Sequence, residues 1–307
     1  MLTSFFNKSK PKNFTIVFFI TLLAFIIARK QLINDGLLFE FLFKQMGLLL
    51  ICYISVLLLN FITSKNSLTH RNSYEILLFS LFLLLIPQAT SFGNVLLSNF
   101  FVLLGLRRLI SIRSQKDEKK KLFDAAFWIG IATLFYFWSI LFFGLIIISL
   151  ILYGDSRIRN WIIPFIGILV VFIIGVAVSV VWHDDFTKIF NLTSEVSYDF
   201  SNYNSIKYMI AITLLLSFSI WSSIFYLQNI KKKKKMFRAP FKIIISATFI
   251  AFLLVIQVSE KNGSEFLFLF APLSIIIANY IEIIQDKWFK EVFLSILILV
   301  PFILLVL

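Results

Sequence analysis

Runs of apolar residues close to twenty long recur along the whole of this chain, and nothing else in the sequence restricts its fold as strongly. A helix needs roughly 20 such residues to cross the ~30 Å hydrocarbon core of a bilayer. Runs of this kind lie at 13–28, 46–63, 76–92, 94–111, 162–182, 208–228, 239–258, 265–284 and 291–307. The stretch 122–153 is too long for one span, since about 32 residues rising 1.5 Å each would reach about 48 Å. Both of its flanks are basic, which predicts a hairpin of two short helices turning near Tyr136–Ser139. The expectation is an all-α, polytopic integral membrane bundle of about eleven transmembrane helices, forming a single integral membrane domain over 1–307. Composition agrees: 60% of residues are hydrophobic and 15% charged, against roughly 45–50% apolar in a soluble domain. Such a chain cannot cover its apolar surface and needs lipid as its solvent. A soluble enzyme, a disordered chain and a disulfide scaffold are excluded. The single cysteine, Cys52, leaves no intramolecular disulfide, and the two histidines, His70 and His183, cannot build a multi-histidine metal centre.

Charge sets the expected orientation, because Lys and Arg accumulate in cytoplasmic loops. With Lys8, Lys10 and Lys12 inside, eleven crossings put 23 of the 29 basic residues on the cytoplasmic side. Arg29, Lys30, Lys44, Lys188, Lys207 and Lys261 remain outside. The N-terminus is therefore expected in the cytoplasm and the C-terminus outside. The 13–28 run lacks a small-residue cleavage site, so it reads as a retained first span. The net charge of +13 follows from the basic clusters 107–121 and 231–238. They adjoin spans, where they suit anionic headgroups or a cytoplasmic protein partner. No aromatic residues interleave with these lysines as a base-stacking platform requires, so nucleic acid is not expected as a partner.

Inside the spans the chemistry is sparse. Asp124, Lys242, Glu282 and Asp286 lie near cytoplasmic ends, where side chains can snorkel. No span carries an acid or a base at its centre, as an ion-coupled transporter would need. Any active site is then expected at the outer interface, where three clusters could supply it. The first is Asp35 and Glu40 with Arg29, Lys30 and Lys44, the stretch 37–45 reading as a helix lying in the interface. The second is His183, Asp184 and Asp185, directly after Trp182 at the membrane edge. The third is Glu260, Lys261 and Glu265 in the loop SEKNGSE. A carboxylate beside a cation could deprotonate a hydroxyl while the cation holds a phosphate. His-Asp-Asp could contribute to a divalent-cation site, though its shell is incomplete. Each cluster also reads as an ordinary solvated loop.

The segment Ser259–Tyr280, SEKNGSEFLFLFAPLSIIIANY, and the stretch Leu122–Leu134, LFDAAFWIGIATL, resemble parts of the GT-C-type polytopic glycosyltransferases. The first is similar to the polar loop and Pro-Leu entry of a late span, the second to the mid-chain hairpin. The chain is also similar to bacterial inner-membrane proteins of about this length, which places it in the bacterial cytoplasmic (inner) membrane. The GT-C resemblance implies transfer of a sugar from a polyprenyl-phosphate donor at the outer face. It would make Asp35 the catalytic carboxylate, with Glu40 second. Arg29 or Lys44 would contact the donor phosphate, and His183, Asp184, Asp185 and Glu265 would be further substrate contacts. The chain departs from the family in a first outer loop of only about 16 residues, in Glu265 rather than Arg or His before Phe266, and in lacking a large outer domain. Beside the transferase stand two other expectations, a non-catalytic subunit of a cell-envelope assembly with protein partners, and a lipid transporter or flippase.

Overall fold

The computed structural model describes residues 2–30, 39–154, 157–186, 188–190 and 195–307, apart from the side chains of residues 39–41, 183, 189 and 236. Twelve helices run through them. They are α1 (Leu2–Phe6), α2 (Pro11–Ala28), α3 (Phe39–Asn66), α4 (Tyr74–Leu85), α5 (Gly93–Ser111) and α6 (Glu118–Phe135), then α7 (Phe143–Tyr153), α8 (Ile158–His183), α9 (Ile206–Lys232), α10 (Lys235–Gln257), α11 (Leu267–Ile283) and α12 (Lys287–Val306). Among the described residues the only β pairing is an isolated bridge between Val196 and Val258. Eight helical segments among the described residues are long and apolar enough to cross a membrane, and the apolar helices Tyr74–Leu85 and Phe137–Tyr153 are shorter. Only closed barrels and helices satisfy their own backbone in lipid, and this is an all-α, multi-pass membrane protein. The chain divides into two compact units. Unit one holds Met1–Leu96, Asp199–Lys232 and Lys261–Leu307, and unit two holds Leu97–Tyr198 and Lys233–Glu260.

In unit one the core is built on α4 and α11. All of α4 is buried, as is α11 from Leu267 to Ile281. A helix apolar on every side belongs inside protein rather than at a lipid or water boundary. Helices α2, α3, α11 and α12 pack on α4, and α9 packs on α11. The expected span 76–92 is not one helix: it stops at Leu85 and resumes as a 3-10 turn over Pro87–Thr90. Pro87 supplies no N–H and drives Ile86 out of the helical region, to φ −129° and ψ 81°. Over the described part of the stretch 37–45 there is no separate helix, because the chain from Phe39 to Asn66 is one continuous helix.

Hydrogen bonds tie the two ends of unit one. At one end the Asn13 amide donates to Ser73 Oγ (3.2 Å) and the Tyr74 hydroxyl to the Thr3 carbonyl (2.7 Å). Glu282, expected to snorkel, instead accepts the His70 backbone N–H (2.8 Å) and the Asn72 amide. Glu75, which lies outside every expected span, is buried in the first turn of α4 and accepts the Thr63 hydroxyl at 3.2 Å. At the opposite end α2 packs on the Pro87–Thr90 turn, which in turn meets a 3-10 turn at Ser264–Phe266.

Unit two is centred on the pairing of α6 with α8. A Cβ on Gly167 would come within 2.8 Å of the Ala126 Cβ and 3.0 Å of the Phe123 carbonyl, and one on Gly130 within 3.0 Å of Val171. Small residues let membrane helices approach until their backbones touch. Helix α6 ends at Phe135, and Tyr136 is extended (φ −149°, ψ 108°) before the 3-10 turn Phe137–Phe142 leads into α7. At that break the Ala132 carbonyl accepts both the Tyr136 N–H (3.0 Å) and the Ser98 hydroxyl (2.9 Å). Asp124 is paired with Arg108 at 3.0 Å. The outer side of α8 exposes Phe165, Leu169, Phe172 and Ile173, a side that lipid solvates and water would not.

Candidate functional site

The polar chemistry of unit one gathers where α2 ends and α9 and α11 begin. Gly263 makes the gathering possible. It sits at φ +92°, and a Cβ there would strike the Tyr208 hydroxyl at 2.6 Å and the Gln88 Cβ at 3.2 Å. Glycine alone takes this backbone conformation without penalty and leaves room for both neighbours. The loop is then fastened from two directions. Tyr208 donates to the Asn262 carbonyl (3.0 Å), and the Ser264 N–H donates to Asn262 Oδ1 (3.0 Å).

Glu265 follows in the first turn leading to α11 and is fully buried. Its Oε1 accepts the Tyr203 hydroxyl and the Gly263 N–H (3.1 Å), while Oε2 has no hydrogen-bond partner among the described residues. Lys261 is 1% exposed, with its ammonium 4.6 Å from the centre of the Phe200 ring. Burial holds the Lys261 pKa below that of an ordinary lysine, and the charge of Asp199 partly offsets this. Asp199 lies below the usual carboxylate range, first because the Ser201 N–H donates to it at 2.9 Å, then through the Ser201 side chain; Lys261 contributes less. The loop SEKNGSE is therefore not a solvated loop throughout: its lysine and second glutamate face protein.

Arg29 shows the same pattern one helix end away. Only 3% of it is exposed. Its Nε donates to Gln45 Oε1 and its Nη2 to the Thr90 carbonyl, and its Nη1 reaches Thr90 Oγ1 and the Phe25 carbonyl at 3.4 Å. The guanidinium also lies 3.5 Å from the Phe25 ring centre. Every one of these acceptors is neutral. Burial pulls the Arg29 pKa down to about 10.

Beside these groups opens a cleft of about 170 Å³. Ile27, Leu84, Leu85, Leu304 and Leu305 form its apolar part, and Gln88, Ser205, Lys207 and Tyr208 its polar part. An aliphatic floor with a cation, hydroxyls and an amide at one edge suits a molecule that is greasy at one end and anionic at the other. Tyr208 joins the cleft to the Glu265 loop, as its ring also packs against that of Tyr203, 5.5 Å away and tilted by 49°.

The expected site residues are distributed unevenly. Arg29 and Glu265 belong to this end of unit one, both meeting the Pro87–Thr90 turn through their own elements. Lys44 is exposed in α3, next to the Gln45 that Arg29 holds. Asp35 and the side chains of Glu40 and His183 lie outside the described residues. Asp184 and Asp185 belong to unit two, and both are exposed. Asp184 caps α8 at φ +52°, and the Asp185 carbonyl accepts the Ser179 hydroxyl at 2.6 Å. No three His, Cys, Asp or Glu residues come together among the described residues. Two exposed carboxylates fall well short of the roughly six oxygens a hard divalent cation takes, so Asp184 and Asp185 do not by themselves fit such an ion.

Gln88, Thr90, Tyr203, Lys207 and Tyr208 were not singled out as site residues by their sequence. Lys207 reads there as the last residue of an outer loop, Tyr208 as the first of a span, and Gln88 as an amide inside one. The one local signal was the Asn262-Gly263 pair, a turn dipeptide separated from the acid Glu265 only by Ser264. No curated protein and no solved structure matches the chain. A family model matches residues 5–306, and the chain thus belongs to DUF6427, a family of unknown function.

Proposed function

We propose that this protein is a GT-C-like inner-membrane protein that handles a lipid-linked sugar at the outer face, transferring the sugar from a polyprenyl-phosphate donor. The observation that carries the reading is the amphipathic cleft beside the Glu265 loop. Its aliphatic floor suits the first isoprene units of a lipid tail, and Lys207 suits the phosphate that follows. In this reading α6, α4 and Phe137–Tyr153 cross the membrane together with the eight longer helical segments, which makes eleven crossings. The N-terminus and the basic segments 107–121 and 231–238 are cytoplasmic, and the cleft opens outside.

Transfer would follow the resemblance. The carboxylate of Asp35 takes the proton of an acceptor hydroxyl, and the acceptor oxygen bonds to the sugar's anomeric carbon. The bond from that carbon to the phosphate oxygen breaks, and the polyprenyl phosphate leaves with the bonding pair. Lys207 and Lys44 are the cations placed to steady the leaving phosphate, with Glu40 as the second acid. Arg29 has its donors engaged by Gln45, Thr90 and Phe25 and positions the Pro87–Thr90 wall of the cleft. Asp35→Asn should remove transfer from a polyprenyl-phosphate sugar in reconstituted vesicles while Tm is unchanged. Lys207→Gln should weaken use of the donor. Unaltered transfer in both variants would remove the proposal.

A second reading is a non-catalytic membrane subunit of a cell-envelope assembly. It is favoured by the way Glu265 Oε1 and Arg29 are spent on fastening their own loops. Co-purification of a stoichiometric envelope protein in mild detergent, with no transfer by the isolated chain, would support it over the first.

A further inference from the structure

Two basic segments more than a hundred residues apart in the chain meet in unit two. The turn Ile112–Ser114 packs on α10, and the Arg113 guanidinium lies 4.5 Å from the centre of the Phe237 ring. Lys233 lies 4.4 Å from the Phe241 ring, and the Arg238 Nε–H donates to the Lys233 carbonyl at 2.8 Å, so the start of α10 is held in place. Around this junction Lys116, Lys119, Lys120, Lys234 and Lys235 are exposed. The acids nearby are partly spent, as Glu118 pairs with Arg157 and Asp124 with Arg108.

Next to the junction is a cleft of about 230 Å³ at the ends of α5, α6 and α7. Ile112, Leu122 and Leu150 give it an aliphatic floor, and Gln115, Tyr153 and the ion-paired Glu118 and Arg157 a polar rim. Lys121 Nζ donates to the Ser111 carbonyl (2.8 Å) and to Ser114 Oγ (2.6 Å), closing the turn between α5 and α6. We infer that this face is a seat for anionic phospholipid, with the headgroup phosphate among the exposed lysines and the start of an acyl chain on the aliphatic floor. The charge of the face selects an anion. Its position at the ends of apolar helices puts the lysines at headgroup depth, where attraction to an anionic leaflet is strongest. An acidic protein segment would match the charge but has no use for an aliphatic floor that begins at the same level. This inference stands independently of the transferase reading, which concerns unit one.

The test uses the full chain purified in neutral detergent, with phosphatidylglycerol or phosphatidylcholine added to the micelles. Phosphatidylglycerol should raise Tm by about 5 °C over phosphatidylcholine, and high salt should remove much of that difference. Native mass spectrometry should show phosphatidylglycerol retained in preference. Replacing Lys116, Lys119, Lys120, Lys234 and Lys235 together by Gln should abolish the shift, and the same five changes to Arg should keep it. If the Gln variant fails to fold, the Arg set and the lipid comparison on the native chain still decide. Equal Tm in the two lipids overturns the inference. So does a lipid shift that survives the Gln changes while a co-purifying acidic protein is lost.

Discussion

Tyr203 and Gly263 between them hold one oxygen of a carboxylate that has no contact with water. Removing a single donor from such a group leaves an acceptor that can recover nothing from solvent, at about 1–3 kcal/mol. Tyr203→Phe should therefore lower stability by that amount in a denaturation series in detergent, although the ring contacts with Tyr208 and Phe266 persist. The Asp199 and Lys261 pair gives a pH signature with two opposite parts. Asp199 titrates lower in the folded chain than unfolded, so its stabilisation is full above the ordinary carboxylate range and is lost as pH falls through its depressed folded pKa. Lys261 also titrates lower when folded, so between its folded pKa and the ordinary 10.5 the unfolded chain binds more protons and stability rises with pH. Asp199→Asn should remove the acid-side loss and lower the Lys261 pKa further, which the NMR shift of the labelled Lys261 side chain followed against pH would report as a lower midpoint. None of this pairing was legible in the letters SEKNGSE, which read as solvent-exposed. Burial of Lys261 depends on Phe200, sixty-one residues earlier, and periodicity within the loop carries no trace of it.

Among the helices, the close approach of α6 and α8 rests on Gly167 and Gly130. Gly167→Val should drive the Ala126 and Phe123 backbone away and cost about 1–3 kcal/mol of stability, read as a lowered Tm. Gly144 is the contrasting case, since a Cβ there meets nothing within 4 Å. Gly144→Ala should hold or raise Tm, by up to about 1 kcal/mol of helix propensity. Helix positions were readable because apolar runs are local: α2, α3, α5, α8, α9, α10, α11 and α12 cover the expected runs with shifts at their ends. Breaks were harder. The stop at Leu85 follows from Pro87 but lay inside one expected span, whereas the turn at Tyr136, with no proline or glycine beside it, was placed near Tyr136–Ser139 only by the length of the run 122–153. The burial of all of α4 is a packing outcome as well, since its sequence is no more apolar in kind than that of lipid-facing α8.

For the molecule as a whole, orientation is open to a direct measurement. The native cysteine, Cys52, is buried, so the unmodified protein should label poorly with a membrane-impermeant maleimide. In intact cells a cysteine replacing exposed Tyr198 should label, and one replacing exposed Lys120 should label only after the membrane is opened. The reverse pattern would turn the protein over and place the cleft of unit one in the cytoplasm. The charge asymmetry behind this prediction needed only the order of spans and loops.

The sequence by itself determined the solvent and the secondary structure, because the transfer of twenty consecutive apolar residues into lipid is a sum over neighbours in the chain. Tertiary structure decided which polar residues share a site. Arg29 with Thr90, Tyr203 with Glu265 and Arg113 with Phe237 are pairs made by packing between distant segments. The free energy of a buried charge or acceptor is set by whichever groups surround it in space, and chain order does not encode those groups locally.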